Sequence, residues 1–443
     1  MDRVLAKVKN NSLVSIELNF FTFGCEGAKM IGLVLQNNNV IESCVLQGND
    51  IGSGGTKYIA DMLKVNNTLK KLNLSLNNIR EEGATSLGLA LHENYTLKVL
   101  NLSNNNVRVD GAYQLAFALQ HNDTLTHLNI CVNNIGNEGA KRLAGGLQRN
   151  NSLSVLDITS NNIGPEGVKA ICLALYNNKG LKVLILSGNP VGDSVSGVKY
   201  ISTLLRKNTT LVRLILADCN IGPASAILLS KALFSNTTLN TLDLGANTVG
   251  DLGAIAIANT LKKNTGLTAI ILRSNCIQDD GAIALSSALT CNTTLATLDI
   301  NHNCGIGNAG LKALYTLLAN NTTITTLITV PFLNKHFNVT SFLNRNYELN
   351  FNAFWSPAQI HLFPQNCYKA MLATLICSCY FSGSLSLELW TFVFSFWLRK
   401  QFVVFPIGGK TSMLYDCKTL ISNTTTTTTI VCGCCDCGST RAS

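Results

Sequence analysis

Short stretches of alternating apolar and polar residues are followed by apolar residues at helical spacing, and the pair of patterns recurs along most of the chain. In one copy, Leu72 and Leu74 alternate with Lys71, Asn73 and Ser75. That period-two pattern predicts a short strand with one buried and one wet face. Asn77 follows, where the chain must turn, then Ile79 and Gly83. Ala84, Leu87, Ala90 and Leu91 come next at the spacing of one helix face, and Thr96 and Leu97 lead into the next strand. A glycine at the helix start lets two backbones approach closely.

The asparagine after the strand marks the period. Asn49, Asn77, Asn105, Asn133, Asn161 and Asn189 stand 28 residues apart; after a two-residue shift the line resumes at Cys219, Asn247, Asn275 and Asn303. A buried turn leaves backbone donors and acceptors without partners, and an Asn side chain offers both kinds of group. Stacked asparagines are therefore expected to bond the backbone of their own and neighbouring turns. A single copy cannot bury its apolar face, but a stack can. The expected fold class is α/β: a solenoid with a parallel, concave sheet and an outer layer of helices.

The phrase Leu-x-x-Leu-x-Leu/Ile-x-x-Asn-x-Ile-Gly-x-x-Gly-Ala, as in Leu125 to Ala140, resembles the leucine-rich repeat of the ribonuclease-inhibitor type. NOD-like receptors and Ran GTPase-activating proteins carry similar repeats. The resemblance covers roughly residues 13 to 330 and implies a horseshoe that recognises a protein through its concave side. Four segments are expected. Residues 1–40 form a degenerate capping repeat, with Phe21 on the ladder position, and residues 41–334 the regular repeats. Residues 335–400 form a small, mostly helical cap, and residues 401–443 a poorly ordered Thr- and Cys-rich tail. The seventh repeat carries the two extra residues near Pro190, Gly192, Asp193 and Gly197, read as a longer loop, a local bend or a contact loop.

Charged residues make up 13% of the chain, against about 25% in an ordinary globular protein. The net charge is +9, with no run of Lys or Arg interleaved with aromatics, so nucleic acid is not an expected partner. Met1 to Phe23 holds no apolar core of signal-peptide length, and the expected compartment is the cytoplasm. Of the 16 cysteines, several fill slots that the repeat explains, such as Cys44 at a Leu position. The triplets Asn94-Tyr95-Thr96 and Asn122-Asp123-Thr124 fit the glycosylation pattern, but the repeat itself generates them.

The outward strand positions fall six, four and two residues before each ladder residue. They supply His127, Asn129, Asp157, Ile185, Arg213, Ile215, Asp243, Ile271, Arg273 and Asp299, with Asp218 and His302 at the strand ends. β-Branched residues beside mixed charges suit a protein partner. A basic ribonuclease would need an acidic face, so inhibition of such an enzyme is not expected. The resemblance to Ran GTPase-activating proteins permits a small GTPase as partner, although the strongly acidic segment typical of those proteins is missing after the repeats.

No catalytic constellation can be assembled from spacing, and no metal or cofactor is expected; the chain reads as a non-enzyme. Gly408-Gly409-Lys410-Thr411 matches only the end of a phosphate-binding loop, with Val404 where its first glycine would stand. Residues 370–398 contain one charge, Glu388, and admit three readings: cap helices, a membrane span or an adaptor-binding box. Within them, 385–396 resembles the opening of an F-box or SOCS-box, with Ser386 in place of the usual proline. That resemblance implies a substrate receptor of a ubiquitin ligase. Cys432, Cys434, Cys435 and Cys437 lack the pair spacing of a zinc site.

Overall fold

The computed structural model describes residues 13–329 together with Phe342, Leu343 and Asn346. All of these lie in one compact unit, Met1–Phe354. The expected cap and tail, the 370–398 segment with its box-like stretch, the Gly408–Thr411 motif and the terminal cysteines fall outside the described residues, apart from Phe342, Leu343 and Asn346.

Between residues 15 and 328, strands and helices alternate, from β1 (Ser15–Glu17) and α1 (Gly24–Gln36) to α11 (Asn308–Asn320) and β12 (Thr326–Ile328). The twelve strands form one sheet in strict sequence order, every neighbouring pair parallel. Register is fixed by the apolar middle residue: Leu72 lies beside Leu100, and Leu100 beside Leu128. That residue points into the core in each of the first eleven strands, because a slip of one residue would turn the whole buried row to solvent. The helices return their own apolar rows, such as Ala84, Leu87 and Leu91, to the same core.

Curvature of this unit follows from layer widths. Neighbouring strands stand about 4.8 Å apart, whereas packed helices need about 8–10 Å. A stack carrying one of each per repeat must bend, with the strands on the inner side. Small residues keep the helix layer as close as it is. An added Cβ at Gly88 would come within 2.8 Å of the Gln114 carbonyl oxygen on the next helix, and one at Gly146 within 2.6 Å of that of Ala116.

Three of the helices are capped by a side chain of the preceding repeat rather than by their own N-cap side chains. Asn137 Oδ1 accepts the N–H groups of Gly164 and Gly167 at the start of the following helix, at 2.9 and 3.0 Å. Asp251 does the same for Gln278 and Gly281, and Asp279 for Gly307 and Gly310. Orphan donors at a helix start are thus satisfied by the neighbouring repeat, and each such bond fixes the stacking of two repeats.

Candidate functional site

The ladder asparagines are fully occupied by the fold. Asn77 Oδ1 accepts the backbone N–H of Asn49 at 2.9 Å and that of Ile51 at 3.4 Å. Its Nδ2 donates to the Leu46 carbonyl at 2.8 Å and to those of Leu74 and Ser75 at 3.0 Å. Equivalent sets surround Asn49, Asn105, Asn133, Asn161, Asn189, Asn247, Asn275 and Asn303, with minor variations. The turn is tight enough to put residues flanking the asparagine in left-handed backbone, for instance Val132 (φ 54°) and Asn134 (φ 53°) around Asn133. Phe21 takes the ladder position of the first repeat and donates its N–H to Asn49 Oδ1 at 2.8 Å.

Cys219 breaks the line. Its Sγ still donates to the Leu186 carbonyl at 3.3 Å, so it replaces the donor half of an asparagine. It has no oxygen to accept the N–H groups of Asn189 and Val191, and Val191 N instead turns to the Asn189 carbonyl at 2.6 Å. The two extra residues of the seventh repeat lie in this same turn, between the ladder residue and the helix Val195–Lys207.

A second asparagine line runs at the other end of the repeats, and the sequence reading passed over it. Asn66, Asn94, Asn122, Asn150, Asn178, Asn208, Asn236, Asn264, Asn292 and Asn321 are all buried where helix gives way to strand. Asn122 Nδ2 donates to the carbonyls of Leu91 and Asn94, at 2.7 and 2.8 Å, and its Oδ1 accepts from Thr124 and Leu125 at 3.1 and 2.8 Å. The last described rung is Asn346, donating to Asn321 and Ile324. The Ser and Thr two residues on, which complete the glycosylation-like triplets, also bond the turn: Thr68 Oγ1 donates to the Asn38 carbonyl at 2.8 Å. The signal was the same 28-residue period, read as a by-product.

The outward strand positions line one face as expected, but they are less open than their alternation suggests. A strand flanked on both sides shields its neighbours' side chains. His127, Arg213, Asp218, Arg273 and His302 are exposed; Asn129, Asp157, Ile185, Ile215, Asp243 and Ile271 are half-buried; Asp299 is buried. The Asn and Asp of this row also do structural work. Asn129 Oδ1 accepts from Cys131 N at 2.9 Å, Asp157 from Thr159 N at 3.0 Å, Asp243 from Gly245 N at 2.8 Å and Asp299 from Asn301 N at 3.0 Å. In each case an oxygen closes the strand-end turn, leaving the second carboxylate oxygen of the aspartates and the Nδ2 of Asn129 uncommitted to it.

Electrostatics concentrate on repeats eight to eleven. Burial pushes the Asp243 carboxyl above the ordinary range, against the Gly245 N–H and the charges of Arg273 and Arg213, which pull it down. Asp299 is raised mainly by burial, opposed by the Asn301 N–H and Arg273, with Asp243 adding to the rise. Arg273 lies across Gly245: an added Cβ there would stand 3.0 Å from its Nε and 3.1 Å from Asp243 Oδ1. His127, further along, is held below its usual range by burial and by Lys71, and its Nδ1 lies 2.8 Å from Thr126 Oγ1. Among the described residues no group of three or more His, Cys, Asp or Glu could hold a metal ion. Among them, too, no helix is long and apolar enough to cross a membrane.

The leucine-rich repeat family model matches residues 65–88, 93–116, 121–144, 149–172, 207–230, 235–258, 263–286 and 291–314. The chain belongs to the leucine-rich repeat proteins, a family built as a scaffold for protein–protein contact. The unmatched interval, 173–206, holds the seventh repeat with its two extra residues. Similar solved structures include the leucine-rich repeat-containing protein LegL7 from Legionella pneumophila, at 20% identity over 65% of this chain and 93% of that one, with a TM-score of 0.45. The complex of Rad7 and Elc1 from yeast matches at 16% identity over 73% of this chain and 72% of that one, also with a TM-score of 0.45. The actin-binding site 2 of leiomodin-1 matches at 25% identity over 36% of this chain and 92% of that one, with a TM-score of 0.33. No curated protein matches the chain in sequence.

Proposed function

We propose that the chain is a protein-recognition module without catalytic activity, and that its partner lies along the strand face of repeats five to eleven. One observation carries this reading. Arg213 and Arg273 are exposed on that face and take part in none of the ion pairs among the described residues. Those pairs lie within helices, as in Lys141–Glu138 and Lys169–Glu166, or beside the first residues of helices and strands, as in Arg108–Glu81 and Lys70–Glu42. Beside the two arginines stand the half-buried Ile185, Ile215 and Ile271. Apolar surface next to exposed arginine is the composition of a protein-binding centre.

Partner capture from cell extract tests this, comparing the full chain with its Arg213→Glu/Arg273→Glu variant. Selective loss of one set of proteins from the variant is expected. Identical sets, with both proteins equally folded by circular dichroism, would remove the strand face from consideration. A small GTPase in the lost set would name the partner class, and a ubiquitin-ligase adaptor retained by both would assign that contact elsewhere in the chain.

A further inference from the structure

On the outer, helical side of the repeats, two histidines come together that the strand-face reading does not use. His92 lies in the last turn of the helix Arg80–Glu93, and His121 just past the end of the helix Arg108–Leu119. Their ring centres are 4.9 Å apart, with the planes tilted by 55°. Phe117 backs both: it is stacked on His92 at 5.8 Å and tilted against His121 at 5.2 Å. His121 Nδ1 lies 3.3 Å from the Phe117 carbonyl oxygen.

We infer that His92 and His121 form a two-imidazole site for a borderline divalent cation of the zinc or nickel kind. Three observations converge on it. First, the separation fits. An imidazole nitrogen binds such an ion at about 2.0–2.1 Å, which sets the ring centre about 3.2 Å from the metal; two rings on a tetrahedral ion then stand about 5 Å apart. Second, His121 is oriented as a ligand. With Nδ1–H donating to the Phe117 carbonyl, the lone pair is left on Nε2, the arrangement that outer-shell partners impose on metal-bound histidines. Third, both rings sit at helix C-termini, where the exposed carbonyls favour positive charge. Lys64, at the place equivalent to His92 one repeat earlier, is paired with Asp61 at 3.3 Å. Among the described residues no third protein ligand completes the set, so water fills the remaining positions. A site of this kind ties the third repeat to the fourth and can be read independently of any partner on the strand face.

Nickel titration of the full chain, followed by the imidazole resonances, tests the site. Those signals report only the six histidines, so metal held by thiols does not enter the readout. His92 and His121 are expected to broaden together at sub-stoichiometric nickel, while His127 and His302 stay sharp. His121→Ala removes one arm of the chelate, and the nickel needed to broaden His92 should rise about a hundredfold. Equal broadening of all the histidines, broadening of one member of the pair alone, or an unchanged His92 response in the variant would overturn the proposal.

Discussion

Asn133→Ala isolates the energetics of the ladder. In the wild type, Asn133 Oδ1 accepts the N–H groups of Asn105 at 3.0 Å and Val107 at 3.1 Å, and Nδ2 donates to the carbonyls of Leu102 at 2.8 Å and Cys131 at 3.1 Å. The side chain is fully buried, so water cannot replace it without opening the turn. Two buried N–H groups lose their acceptor, each at about 1–3 kcal/mol, and the expected loss of stability is about 4 kcal/mol. Asn133→Cys should fall between, because a thiol keeps the donor side, as Cys219 does toward Leu186, and still offers no oxygen. Cys219→Ala removes no acceptor and should cost about 1 kcal/mol, chiefly for lost packing. Urea unfolding gives the three values. Amide exchange at Asn105 and Val107 gives the local readout, with protection falling in both Asn133 variants. An Asn133→Ala cost no greater than that of Cys219→Ala, or unchanged protection at Asn105 and Val107, would refute this account of the ladder.

Three further outcomes are expected. Asp299→Asn keeps the oxygen that accepts from Asn301 and removes a carboxylate that burial makes costly to ionise. The folded-state pKa is raised, so the wild type carries this penalty above it and sheds the penalty as pH falls through it. The variant should therefore be the more stable at pH 7, with its advantage shrinking on acidification; an advantage that grows toward low pH would contradict the assignment. Val132→Asn should raise stability by about 1 kcal/mol in thermal or urea unfolding, because a β-branched residue is costly at φ 54° and Asn is tolerated there; a loss of stability would mean that Val132 packs more than its exposure implies. Burial pushes the thiols of Cys44 and Cys172 far up, and that of Cys219 up to about 12. A thiol reagent at neutral pH should label the exposed Cys25, Cys276, Cys291 and Cys304 in the folded chain and leave Cys44, Cys172 and Cys219 untouched, as peptide mapping after quenching would show.

The strand, the turn and the helix of each repeat could be read from the sequence because each depends on short-range periodicity. The ladder could be read too, since Asn77 and its counterparts recur at one spacing. What escaped depends on partners one repeat away. Nothing local distinguishes the Asn122 rung from a surface triplet until Leu91 and Asn94 are known to lie beneath it. The same holds for Asn137, Asp251 and Asp279, which cap helices through backbone N–H groups 27 or 28 residues later. On the strand face, alternation correctly places Asp243 and Asp299 outward. It does not reveal that one oxygen of each is committed to Gly245 or Asn301, or that Asp243 is half-buried and Asp299 buried. Pairing such as His92 with His121 requires the angular position of two helices, which residue spacing alone does not supply.

The turn at Cys219 also bears on how the array comes apart. Along the rest of the ladder, each repeat is tied to the next by an asparagine oxygen that holds two amides, or one at Asn49 and Asn275. Between the seventh and eighth repeats that tie is missing, and two additional residues lengthen the turn. In a stack whose cohesion is a chain of nearest-neighbour contacts, the weakest junction sets the boundary between cooperative blocks. Residues 13–189 and residues 219–329 are then expected to open as two separate blocks. A pull on the ends, or a protease sampling rare openings, would find its first foothold at the seam between them.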